Sequence, residues 1–299
     1  MDEPRRQEEA ERPRRTGQGV AIGAGLALGI GSLALAYRRS RRSGHAHDAQ
    51  DVTYPPLDTP KPLAEDLWIV DSGPIVAAGL ALPVRMTVVR LSGGNLLLHS
   101  PTRYTPALAE ALAGFGRIRH LVAPSIAHWT FLQAWQQAFP DAASWGVPGL
   151  RDRAQVRRAG VRIDRDLGEM APDAWAADLA QGIVPGGLGF REAYFFHKPS
   201  RTLLLVDLIE NLQSDKQPPL VRWVLGAARA TSGTTALYLR AALWLGGAAM
   251  VAKVRELVAL EPDRVIVAHG GLFTEQAPRR LREAFAWVLA GTRASETVR

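Results

Sequence analysis

Residues 192–208, EAYFFHKPSRTLLLVDL, leave the backbone few choices. An aromatic run, a Lys198-Pro199-Ser200-Arg201 turn and four apolar residues at 203–206 read as a β-hairpin whose return strand is buried. That strand delivers Asp207 at its end. A carboxylate left buried and unpaired there would cost several kcal/mol, roughly. Asp207 therefore either caps the following loop or points into a site at the rim of a sheet, and the hairpin alone leaves both readings open.

The N-terminal part of the chain has a different character. Residues 17–37 carry no charge and are bracketed by Arg14-Arg15 and by Arg38, Arg39, Arg41 and Arg42. At about 1.5 Å per residue this run spans a bilayer. Its Tyr-Arg-Arg exit reads as a stop and not as a cleavage site. The expectation is a 1–16 disordered tail, a single transmembrane anchor over 17–37 and a linker over 38–62, in a single-pass protein of a bacterial inner membrane. Arginines flank both ends of the run, so the side on which the rest of the chain lies stays open. Gly19, Gly23, Gly25 and Gly29 give small-xxx-small spacings through which two copies of the anchor can pair. His45 and His47 lie in the linker and read as solvated.

The charge of +7 is partly local to this end: residues 1–50 hold nine arginines against six acids, leaving 27 bases against 23 acids elsewhere. Those are interspersed, which argues against nucleic acid as a partner. With no cysteine, disulfides, thiolate metal sites and cysteine nucleophiles are excluded.

From residue 63 onward strands and helices alternate. A short strand at 67–70 precedes a hairpin of 86–91 and 96–99 about Gly93-Gly94. A helix follows, capped by Thr105, opened by Pro106 and closed by Gly114 or Gly116. Then come a strand at 118–123, a loop to His128, a helix over 129–139 and a strand at 142–147. This order argues for an α/β fold. Residues 150–186 show little regularity beyond an Ala-rich piece. Residues 213–260 read as a helical insertion containing one long helix over 234–260. The uninterrupted apolar part of that helix, 241–252, is too short to span a membrane, but with Trp223 and Trp244 nearby it can lie on a lipid surface. A strand at 265–268 ends in His269, and a last helix places Leu281, Phe285, Val288 and Leu289 on one face.

Three strands thus end in a side chain able to bind a metal: His128, Asp207 and His269. In α/β sheets the strand ends on one edge share a crevice, and imidazole with carboxylate is a ligand set for zinc, iron or manganese. No Gly-x-Ser-x-Gly elbow, Walker loop or His-Glu-x-x-His motif offers other chemistry.

The segments LWIVDSGP, RMTVVRLSGGNLLLHSPT and IRHLVAPSIAHWTFLQAW, with the hairpin pattern E-x-x-F-F-H-x-x-S-R-T-L-L-x-x-D, resemble the metallo-β-lactamase superfamily and, within it, the family called domain of unknown function 4336. The resemblance implies a four-layer αββα domain over 63–299. Catalytic members of the superfamily carry a His-x-His-x-Asp-His run, and at those four ligand places this chain has Pro124, Ile126, His128 and Trp129. Asp207 and His269 match the bridging Asp and the final His. Glu192 is the nearest liganding side chain to the place of a further His, near Leu188. The usual two-metal site is therefore not expected intact.

Two readings follow. In the first, the domain is a non-catalytic binding or scaffold module in which Glu192 pairs with Arg201 and Asp207 with a neighbouring arginine. In the second, His128, Asp207 and His269 hold one zinc, iron or manganese ion, and Glu192 serves as ligand or general base of a hydrolase acting on an ester, thioester, lactone or phosphoester. Arg201 and His197 are candidate anion contacts, while His99 and His120 read as structural.

Overall fold

The computed structural model describes residues 52–77 and 80–290. The expected tail, anchor and most of the linker, residues 1–51, lie outside the described residues.

The first sheet is built from β1 (Lys61–Ala64), β2 (Leu67–Ala77), β3 (Leu80–Arg90) and β4 (Asn95–His99), which run antiparallel to one another. After helix α1 (Pro106–Ala113) come β5 (Arg117–Ala123), helix α2 (Leu132–Ala138), β6 (Ala143–Gly146), helix α3 (Ala154–Arg158) and β7 (Arg165–Asp166), with β4 to β7 paired in parallel. The reversal between β3 and β4 uses Gly94 at φ 76, a left-handed turn position that favours glycine. Helix α1 starts where its sequence says it should, since the Thr105 side chain accepts the Leu108 N–H at 3.1 Å and Pro106 needs no donor.

The second sheet, in the order β11-β10-β9-β8, comprises β8 (Leu179–Pro185), β9 (Arg191–His197), β10 (Thr202–Leu204) and, after three helices, β11 (Arg264–Ile266). The helices are α4 (Pro219–Ala227), α5 (Leu237–Trp244) and α6 (Gly247–Ala259), and α7 (Ala277–Ala284) follows β11. The predicted hairpin is β9 and β10, paired antiparallel with Leu204 opposite Phe195. Its alternate residues enter two cores. Ala193, Phe195 and Leu204 join the core shared with the first sheet, whereas Tyr194, Phe196, Leu203 and Leu205 pack under α5, α6 and α7. Burial on both faces explains why the hairpin reads as nearly continuous apolar sequence.

Several expectations are corrected. The strand expected at 67–70 continues to Ala77, pairing along β3 across an irregularity between Ser72 and Ile75. Residues 179–185, where no strand was expected, form β8, because pairing along the whole of β9 compensates for Gln181 and Gly182 in its sequence. The described end of the linker is packed and not free: Val52 and Thr53 are buried and 61–64 is a strand. The helix expected over 234–260 is two helices meeting at 118°. Gly246 and Gly247 make the corner. A Cβ on Gly246 would stand 2.4 Å from the Pro185 carbonyl oxygen, and Gly247 has φ 60. Among the described residues no single helix is long and apolar enough to cross a membrane.

Candidate metal centre

Strands β10 and β11 are parallel, with Leu204 opposite Ile266, so the residues that follow them leave the same edge of the second sheet. Asp207 comes three residues after Leu204 and His269 three residues after Ile266. Strand β9 runs the other way and carries Glu192, its second residue, at that edge. The loop after β5 is tied to the same place: Ser125 bridges Glu192, and the Ala193 N–H donates to the Pro124 carbonyl at 2.7 Å. This loop carries His128 across from the first sheet. The parallel pair and one inter-sheet bridge thus bring residues 79 and 62 positions apart into one crevice.

His128 Nε2 lies 3.1 Å from Asp207 Oδ1, and His269 Nε2 lies 3.6 Å from the same oxygen. One ligand atom from each of the three side chains falls within 4.8 Å of the others. The far side of each group is fixed. His269 Nδ1 meets the Pro83 carbonyl at 2.8 Å, which can only accept, so this nitrogen carries a hydrogen. His128 Nδ1 is 2.7 Å from Ser100 Oγ, and Ser125 Oγ donates to Asp207 Oδ2 at 2.8 Å. Such outer hydrogen bonds set ring orientation and tautomer at metal sites. The side chains are 8–19% exposed, so the group is sheltered but open to solvent.

The electrostatics follow from this packing. Burial pushes the Asp207 carboxyl up, but the His128 and His269 imidazoles outweigh it and hold the carboxyl well below the usual range. Burial pushes His269 down, and Asp207 outweighs it to leave the imidazole above its ordinary value. Two nitrogens and an oxygen, outward atoms tethered and inward atoms facing one point, fit a divalent ion with further positions free.

The other expected residues are placed differently. Glu192 is fully buried behind Asp207, where its carboxylate accepts the N–H groups of Val206, Asp207 and Leu208 at 2.7, 2.8 and 2.8 Å. Burial and the Asp207 charge push its carboxyl well above the usual range, against the pull of those donors. It is not among the converging ligand atoms. The expected Glu192–Arg201 pair is absent, because Arg201 sits at the turn end of the hairpin and reaches the carbonyls of Leu260 and Glu261. Among the described residues Asp207 likewise pairs with two imidazoles and not with an arginine. His197 is at the turn end too, bonded to Ser200 Oγ at 2.7 Å, so neither candidate anion contact faces this crevice. His99 and His120 stay outside the group as read. His99 stands edge-on to Phe195, and burial lowers its pKa to about 3. His120 accepts from Trp145 Nε1 at 3.3 Å, and burial lowers its pKa to about 4.

Ser100, Ser125 and Glu210 were not legible as part of the site. The two serines directly follow, or nearly follow, strands β4 and β5, and that position is their only sequence signal. Glu210 is buried, accepts the Tyr238 hydroxyl and is close enough to His269 and Asp207 to feel both charges; its pKa is pushed up to about 7, chiefly by burial.

Solved structures of similar fold define the fold class. A metallo-β-lactamase from Pontibacter korlensis superposes with a TM-score of 0.53 at 12% identity, covering 77% of this chain and 98% of its own. FIM-1 from Pseudomonas aeruginosa, solved in a mono-zinc form, gives 0.52 at 14%, covering 78% and 95%. DIM-1 metallo-β-lactamase gives 0.53 at 12%, covering 78% and 97%. At such identities the likeness is one of fold, and this is a metallo-β-lactamase-like fold. Residues 64–234, more than half of the chain, match the family described as Domain of unknown function (DUF4336), and the chain belongs to it. No curated protein matches the chain.

Proposed function

We propose that the protein is a membrane-anchored, one-metal hydrolase. The observation that carries this reading is the pair of outer tethers, Pro83 carbonyl on His269 and Ser100 on His128, which aim both Nε2 atoms at Asp207. His128, Asp207 and His269 hold the ion, and Ser125 keeps the second Asp207 oxygen turned away. When bound, zinc, iron or manganese supplies Lewis acidity, polarising a carbonyl or phosphoryl oxygen and lowering the pKa of water toward neutrality. Glu192 acts as a strut that fixes the backbone under Asp207, and not as the base. The substrate class is an ester, thioester, lactone or phosphoester. That FIM-1 is solved in a mono-zinc form supports a fold able to hold a single ion. Anchoring rests on the uncharged run at 17–37.

A second reading, a non-catalytic binding module with a degraded two-metal site, is favoured by Pro124, Ile126 and Trp129 at places where ligands are usual. Ile126 and Trp129 pack on the main core. One experiment separates the two. Elemental mass spectrometry of the purified full chain should find about one equivalent of transition metal, removed by Asp207→Ala and by His269→Ala. Turnover of an aryl ester, thioester, lactone or phosphoester panel should disappear with it. No metal after incubation with zinc, iron and manganese would sink the hydrolase; metal without turnover would favour the binding module.

A further inference from the structure

Away from the candidate metal centre a cavity of about 220 Å³ opens between the turn after α4, helix α5 and the C-terminal helical segment. Its lining includes Arg229, Arg240, Arg280, Ser232, Thr234 and Trp287, and none of the metal-centre residues. At roughly 30 Å³ per water it has room for about seven waters, the scale of a phosphate with a small substituent.

Positive charge is in excess in this cavity. Three guanidinium groups meet one carboxylate, Glu283, which is already paired with Arg279 at 3.5 Å. Among the described residues no acid pairs with Arg229, Arg240 or Arg280. Aromatic rings support two of the cations instead: Arg240 lies 5.1 Å from the Trp287 ring centre and Arg280 3.9 Å from that of Phe273. Arg240 is further held by the Thr235 carbonyl at 3.0 Å and Thr234 Oγ1 at 3.2 Å. Stacked and tethered guanidinium groups keep their remaining N–H edges for a planar or tetrahedral oxyanion. Arg229 occupies a left-handed position, φ 59, just past the end of α4, where glycine is favoured. Trp287 Nε1 is buried and, among the described residues, has no hydrogen-bond partner. Burial, and then the nearby charge of Arg229, lower the Arg240 pKa.

We propose that this cavity binds a phosphate-type anion. Beside it stand Trp244 and Leu245, 58% and 64% exposed, and the Trp244 ring packs 6.3 Å from Trp287. That apolar shoulder suits a phosphate carrying hydrocarbon, as in the headgroup of an anionic lipid, while the cationic pocket alone suits a free phosphate ester. The proposal is independent of the metal centre.

The test is isothermal titration of the full chain in neutral detergent. One arm uses inorganic phosphate, and another uses dihexanoyl phosphatidylglycerol, with dihexanoyl phosphatidylcholine as the neutral control. Saturable binding of about one equivalent is expected, weakened at least tenfold by Arg229→Gln and by Arg280→Gln and unchanged by the exposed Arg255→Gln. Arg229 is exposed, and among the described residues only its backbone is hydrogen-bonded, to Gly226 and Ser232, so the side-chain change in its variant should leave the fold intact even if others do not. Binding of phosphate itself identifies a free ester as the source; binding of phosphatidylglycerol alone identifies a headgroup. Absence of saturable binding, indifference to Arg229→Gln and Arg280→Gln, or loss on Asp207→Ala would overturn the proposal.

Discussion

Replacing Glu192 by glutamine separates a structural strut from a catalytic base. The native carboxylate satisfies three backbone donors with two oxygens in a place with no solvent exposure. An amide has one acceptor oxygen. Its better orientation keeps the bonds to Asp207 and Leu208 and turns its NH₂ against the Val206 N–H. Two buried donors are then unsatisfied, at about 1–3 kcal/mol each. Relief from burying a carboxyl whose pKa is already pushed up offsets part of this, leaving a net loss of about 2–4 kcal/mol. For a domain of this size that lowers Tm by roughly 5–15 °C. Urea unfolding with linear extrapolation measures the loss, and elemental mass spectrometry on the folded variant measures metal. Metal should remain near one equivalent while stability falls. A variant as stable as the parent to within about 1 kcal/mol, yet inactive, would refute the strut argument and return Glu192 to the chemistry.

Other residues carry further expectations. The Glu210 pKa is raised from 4.5 to about 7, so its stabilisation is complete below 4.5 and is lost as pH rises through 7. At about 1.4 kcal/mol per pH unit, the stability of the parent relative to Glu210→Gln should fall by about 3 kcal/mol between pH 4.5 and 8; a flat difference in urea unfolding counts against it. Ser100→Ala frees the His128 ring and should weaken metal affinity 10–100-fold in competition with a chelator, with the fold unchanged by circular dichroism; equal affinity would show that the tether is idle. Gly270 has φ 117, and a Cβ there would stand 2.0 Å from the Asn211 carbonyl oxygen. Gly270→Ala should therefore cost more than about 3 kcal/mol and displace His269, read as lost soluble yield or a lowered melting temperature; a normal melting curve would contradict the geometry.

Local chemistry made much of this protein legible. The hairpin at 192–208, the capped helix at Thr105 and the strand ends before His128, Asp207 and His269 each depend on residues a few positions apart, and backbone preferences act at that range. The ligand types could be named for the same reason. Whether they meet could not, because convergence depends on the parallel pairing of β10 with β11 and on one bridge from Ser125 to Glu192. Glu192 shows the same limit: a carboxylate beside a site looks like a ligand in sequence, and only the tertiary structure places its oxygens against three backbone N–H groups. Arg201 and His197 sit in the same hairpin as Asp207, yet strand geometry carries them to its opposite end. The 118° corner at Gly246-Gly247 and the arginine-lined cavity have no periodic signature. Both arise where elements distant in sequence approach within a few ångström, so that a missing Cβ or an unpaired guanidinium has meaning only once its neighbours are in place.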